Sequence, residues 1–111
     1  MKRFFTLTLM LFCFILHGFA FDYTDENGVT WTCTINEDDN NTIAISGSNN
    51  NEDIKEISVP ECIEYEGKTY TTTIINKLYS KAISVILPKS IKTIANGAFY
   101  GCWNLVNINL S

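Results

Sequence analysis

The amino-acid sequence predicts a mainly β fold with short helical or 3-10 segments, in which an N-terminal β-hairpin cap leads into a coiling, repetitive C-terminal part. Three observations predict it. Val29, Trp31, Cys33 and Ile35 alternate with Thr30, Thr32 and Thr34, the period of two of a half-buried strand built from residues of high β-propensity. Asn27-Gly28 and Glu66-Gly67 stand between such runs as tight-turn signals. Finally, Val85 and Leu87 return 23 residues later as Ile108 and Leu110, which marks a structural repeat.

The first element is a leader. Lys2 and Arg3 precede an apolar run from Phe4 to Leu16, and Gly18 and Ala20 supply small residues at the positions a signal peptidase reads. That run is 13 residues, short of the roughly 20 that span a bilayer as a helix, so cleavage after Ala20 is the favoured reading and a retained anchor the competing one. Cys13 follows bulky Phe12, which argues against a lipoprotein signal. No later run of that length is apolar, so no membrane span is expected after cleavage. The expected organisation is a signal peptide over 1–20, a β-rich cap over 21–56 and a repeat segment over 57–111. The expected address is secreted or cell-surface.

Removing the leader changes the chemistry available. His17, the only histidine, goes with it, and so Ser-His and Cys-His nucleophile pairs and His-containing zinc sites are excluded. Cys33, Cys62 and Cys102 remain without C-x-x-C spacing. Small buried apolar side chains are one reading of them, and a Cys33–Cys62 disulfide is the other, since export permits it. Residues 21–66 carry all 12 acids and Lys55, for a charge of −11, whereas 67–111 carry five lysines and no acid, for +5. Scattered lysines without arginine do not form a nucleic-acid footprint, and no cofactor is implied.

The strands then follow in order. A strand near Phe21–Thr24 pairs back through Asn27-Gly28 onto residues 29–35. The polar loop from Asn36 to Asn41 precedes a strand containing Ile43 and Ile45, and a second polar loop from Gly47 to Asp53 precedes Ile57 and Val59. Ile63 and Tyr65 pair across Glu66-Gly67 with Tyr70, Thr72 and Ile74. The acidic loop Glu37-Asp38-Asp39-Asn40-Asn41 offers hard oxygen ligands, but it lacks the glycine and distal glutamate of an EF-hand loop, so a solvated loop is expected and no metal site. Asn40-Asn41-Thr42 and Asn109-Leu110-Ser111 match the N-glycosylation pattern by composition alone.

The last third carries the most specific pattern. Residues 85–105 read VILPKSIKTIANGAFYGCWNL and 106–111 read VNINLS. The 23-residue period lies in the range of leucine-rich repeats. In such a coil Val85, Leu87, Ile91, Ile94, Ala98, Phe99, Cys102, Leu105, Ile108 and Leu110 are expected to fill the core between successive strands. The string LP-x-S-I-x-x-I-x-x-x-A-F-x-G-C-x-x-L from Leu87 to Leu105 resembles the BspA-like leucine-rich repeats of bacterial cell-surface proteins. Residues 58–75, SVPECIEYEGKTYTTTII, look like the lead-in before a first regular repeat, with Leu78-Tyr79 in place of the usual Ala-Phe. The resemblance covers residues 57–111 and implies a solenoid with one full repeat and a degenerate predecessor. It also implies surface display and binding of an extracellular protein partner.

One solenoid unit cannot bury its apolar face alone. The chain is therefore expected to be a truncated member or a piece of a longer reading frame, or to self-associate through the edge strand Val106–Leu110. Trp103 stands where the resembled repeat is normally polar, with Tyr100 near it. Both are candidate contact residues, because aromatics dominate interface hot spots; the alternative is that they cap the open end of the core. Carboxylate pairs such as Asp38/Asp39 and Glu64/Glu66 could in principle do acid–base work, but neither spacing announces a pocket. The expected function is a non-catalytic interaction module, possible adhesion included. The alternative is an accessory or inhibitor-like domain, or an N-terminal fragment of a larger exported enzyme.

Overall fold

Period-two alternation decides which side of each strand faces inward, and the turns decide how the strands meet. The computed structural model describes residues 19–49 and 53–111. The predicted leader lies outside the described residues except for Phe19 and Ala20. Strand β1 (Ala20–Thr24) runs antiparallel to β2 (Thr30–Ile35), with Phe21 opposite Cys33 and Tyr23 opposite Trp31. Between them Asp25 organises the turn. Its Oδ1 accepts from the Asn27 and Val29 amides at 2.9 and 3.0 Å, and its Oδ2 accepts from the Trp31 indole N–H at 3.0 Å. Gly28 turns the chain at a φ of 87°. A fully buried tryptophan thus keeps its polar atom satisfied, which is the condition for burying it at low cost.

β3 (Thr42–Asn49) pairs antiparallel with β2 and parallel with β6 (Lys68–Ile75), with Ile45 opposite Ile75. β5 (Cys62–Tyr65) and β6 form a hairpin through a two-residue turn at Glu66-Gly67, with φ of 50° and 79°. Two positive φ values give the mirror-type turn whose twist matches antiparallel strands. The sheet runs β1-β2-β3-β6-β5, with β8 (Thr93–Ile94) also on β6. It curls: Phe21 on one edge strand stacks on Tyr65 of the other, with ring centroids 3.9 Å apart and planes 10° apart. Phe19 packs beside both rings, and its carbonyl accepts from the Ile35 amide at 2.9 Å. Two residues that the sequence assigns to the leader therefore contribute to the hairpin.

The second sheet is β4 (Glu56–Ser58), β7 (Ser84–Leu87) and β9 (Asn107–Leu110), all parallel, with Ile57, Val85 and Ile108 in one row. Parallel neighbours need a crossover, and here it passes through the other sheet. Leaving β7, the chain turns at Pro88, pairs as β8 with β6, and returns by an arc over 95–106 to β9. The two ladders and the arcs enclose one core. Trp31, Ile43, Ile45, Ile57, Ile75, Leu78, Val85 and Leu87 are fully buried in it.

Two expectations are corrected. No helix occurs among the described residues. The arc after β8 is a run of turns, with amide-to-carbonyl bonds from Ala98 to Ala95, Tyr100 to Gly97, Cys102 to Phe99 and Leu105 to Cys102. Gly97 at a φ of 73° breaks any continuous helical path through them. Nor does Leu78-Tyr79 take the place of Ala98-Phe99, because Tyr79 bridges to Gly101 instead. The arc between β6 and β7 has eight residues against twelve between β8 and β9, so the two arcs cannot align from their starts.

Of the predicted core residues, Val85, Leu87, Ala98 and Cys102 are buried, and Ile91, Phe99 and Leu105 are half-buried against the cluster. Ile94, Ile108 and Leu110 are exposed, at 46%, 48% and 79%. All three lie on the terminal coil, where no further described strand covers them. An open trough of about 450 Å³ runs along this end, lined in part by Pro88, Ile91, Ile94 and Leu110.

Candidate interaction surface

The arc over 95–106 presents the most exposed rings among the described residues, because its inward positions are already taken. Ala98 and Cys102 point into the core, and the Cys102 thiol donates to the Leu78 carbonyl at 3.6 Å, tying this arc to the one before it. Burial pushes the Cys102 thiol pKa up, while a backbone hydrogen bond from Ser80 works against the shift. Between and after them Tyr100, Trp103, Asn104 and Val106 face solvent, while Phe99 and Leu105 are half-buried against the core. Tyr100 is 79% exposed and Trp103 81% exposed, with ring centroids 6.2 Å apart and planes inclined by 53°. The two predicted contact residues are therefore adjacent and open, and the reading that they cap the core does not describe these positions.

A third ring belongs with them and was missed from sequence. Tyr79, half exposed on the preceding arc, lies over Gly101, where a Cβ would stand 2.5 Å from its Cδ1. Only glycine admits the ring at that depth. Ser48 at the end of β3 secures the Tyr79 backbone: its hydroxyl donates to the Tyr79 carbonyl at 2.7 Å and accepts from the Tyr79 amide at 3.1 Å. Lys77 Nζ stands 5.5 Å from the ring centroid, within cation–π reach. Tyr79, Gly101 and Trp103 with Ser48, Asn49 and Lys81 line a groove of about 380 Å³. The usable signal was G-C-W after an exposed tyrosine, but the arc register needed to pair Gly101 with Tyr79 is not visible in one sequence.

The other candidates fall apart in space. Cys33 and Cys62 are free thiols, which corrects the possible disulfide. Cys33 points into the core from β2, whereas Cys62 is on the outer face of β5, so the two Cβ vectors do not meet. Asp38 and Asp39 are exposed in the β2–β3 loop, where Asp39 closes its own turn by accepting from the Asn41 amide at 3.1 Å. Glu64 and Glu66 are exposed on the β5 hairpin. No group of three or more His, Cys, Asp or Glu among the described residues could hold a metal ion.

Two parallel ladders, β3-β6-β8 and β4-β7-β9, are joined by arcs, with one strand per coil in each ladder. The structure is similar to that of a leucine-rich cell-surface protein of Faecalibacterium prausnitzii, with a TM-score of 0.61 and 23% identity over 82% of this chain and 24% of that one. It is also similar to a leucine-rich repeat protein of Bacteroides capillosus, with a TM-score of 0.63 and 22% identity over 81% of this chain and 65% of that one. At such identities the likeness establishes the fold. The chain thus spans a quarter of the first neighbour and under two thirds of the second. No protein-family model matches the sequence, and no curated protein does.

Proposed function

We propose that this chain is an extracellular, non-catalytic interaction module of the BspA-like leucine-rich-repeat kind, secreted or displayed at a cell surface. The cap is residues 21–56 and the repeat segment 57–111. The observation that carries the reading is the aromatic patch of Tyr79, Tyr100 and Trp103, raised on two successive arcs and held there by the packed coil beneath. Monomeric surfaces rarely gather large rings without a partner, and tryptophan and tyrosine are the residue types that dominate protein contacts. The description of one structural neighbour as a cell-surface protein supports the address, as does the leader-like sequence of residues 1–20.

The test is capture of host extracellular and matrix proteins by the exported chain, compared with Trp103→Ala and Tyr100→Ala variants. Binding that falls at least about tenfold in the variants is the expected result. No binding by a sample whose circular dichroism and thermal transition report a folded chain removes the interaction reading.

A further inference from the structure

The bond at which the leader is expected to be cut lies inside the fold. Ala20 and Phe21 are consecutive rungs of β1, with Ala20 opposite Thr34 and Phe21 opposite Cys33. Phe21 is 6% exposed; its ring stacks on Tyr65 of β5 at 3.9 Å and tilts against Tyr70 of β6 at 5.8 Å. On the leader side of the same bond, the Phe19 ring packs on Phe21 and Tyr65 at 6.3 and 6.1 Å. The Phe19 carbonyl accepts from the Ile35 amide at 2.9 Å. Both sides of the Ala20–Phe21 peptide are therefore held, by β2 and by the opposite edge of the curled sheet. We propose that the folded hairpin masks its own leader-cleavage site, so that the cut must come before β1 docks. The proposal rests on reading residues 1–20 as a cleavable leader, and adds what controls the cut.

Hydrolysis adds one water across the amide between Ala20 and Phe21, leaving a carboxylate on Ala20 and an ammonium group on Phe21. For that step the peptidase needs the segment extended and free, with the small residues before the bond in its pockets. In the folded chain the same segment is engaged in the β1–β2 ladder and the Phe21 ring is in the core. Cutting therefore waits for β1 to open, and its rate follows the population of the open form. Opening breaks the ladder bonds and the Phe21–Tyr65 stack together. A chain cut before it folds starts at Phe21 and keeps the stack, but it lacks the Phe19 ring and the bond to Ile35. A chain that folds first keeps Lys2, Arg3 and the apolar run from Phe4 to Leu16. The order of the two events thus sets whether the exported product is released or carries its leader as a tether.

The full chain, leader included, is diluted from urea into detergent micelles that hold signal peptidase, with the enzyme present from the start or added after folding. Mass spectrometry reads the new N-terminus. The expected result is a cut after Ala20 when the enzyme is present from the start, and a cut at least about tenfold slower once the chain has folded. Tyr65→Ala leaves the cleavage sequence intact and removes the stack, so the folded variant should be cut about tenfold faster than the folded parent. Tyr65→Phe keeps the ring and should match the parent. Equal rates in the two orders of addition overturn the proposal. Hydrogen exchange at the Ile35 amide decides independently of the peptidase and of whether Tyr65→Ala folds. That amide should be protected in the folded, uncut chain and lose its protection in the cut one, because its acceptor is on Phe19. An unprotected Ile35 amide in the uncut chain overturns the masking, while the leader reading stands. If the chain is not cut after Ala20 in either order, the leader reading falls and the masking with it.

Discussion

Cys33 shows how position alone changes a side chain's chemistry. Burial, with a smaller contribution from the charge of Asp22, pushes its thiol from 9.0 up to about 12. The unfolded chain releases this proton near pH 9 and the folded chain does not until about pH 12, so between those values the unfolded state binds fewer protons. Stability contributed by the neutral thiol is full below pH 9 and is lost as pH rises through that window, at up to about 1.4 kcal/mol per pH unit. Cys33→Ala should flatten this alkaline slope in denaturant titrations run from pH 8 to 11, whatever its offset at neutral pH. A slope unchanged by the substitution would contradict the assignment. Under native conditions an alkylating reagent should label exposed Cys62 and spare Cys33 and Cys102, as mass spectrometry can check. Thr72 carries a different strain. It is fully buried on β6 and its Oγ1 has no hydrogen-bond partner. Thr72→Val keeps the shape and removes the unsatisfied hydroxyl, for an expected gain of about 1 kcal/mol in urea unfolding.

At the scale of elements, turn chemistry was the part most legible in the sequence. Asn27-Gly28 and Glu66-Gly67 both mark observed turns, because only a few residue types tolerate positive φ. Glu66 is a poor choice for its position, standing at a φ of 50° without the local hydrogen bonding that lets asparagine rest there. Glu66→Asn should therefore stabilise the β5–β6 hairpin by about 1 kcal/mol, which in a domain of this size raises the melting temperature by about 4–8 °C. A melting temperature that does not rise would mean the turn strain is relieved elsewhere. The arcs were less legible. A short helical segment is what the return arc of a 23-residue coil leads one to expect, but Gly97 in the left-handed region forces separate turns. The pairing of Tyr79 with Gly101 depends on two arcs of unequal length lying side by side, a relation that no local pattern records.

At the scale of the whole fold, the stacked coils leave β9 as the last strand of the second ladder among the described residues. β9 is bonded to β7 on one side only, and Ile108 and Leu110 continue rows that are buried at Val85 and Leu87. An unpaired edge with apolar side chains on its inner face is a template for another strand. The chain is expected to self-associate through this edge as concentration rises, and Ile108→Lys with Leu110→Lys should shift sedimentation toward the monomer while leaving the thermal transition nearly unchanged. Unchanged association in the double variant would place the contact on another surface.

The sequence by itself determined the strand faces, the turns and the 23-residue spacing that places Val85 and Leu87 in line with Ile108 and Leu110, since each follows from backbone geometry acting over a few residues. It also singled out Trp103, with Tyr100 beside it, because the resembled repeat is normally polar at that position, while leaving open that the two rings cap the core; the structure exposes both. Only the tertiary structure decided that Cys33 and Cys62 stand on opposite faces, that Phe21 meets Tyr65 across the curled sheet, and that Gly101 makes room for Tyr79. Those relations join residues far apart in the chain. They are settled by how sheets curl and coils stack, which depends on the packing of the whole core rather than on any stretch of it.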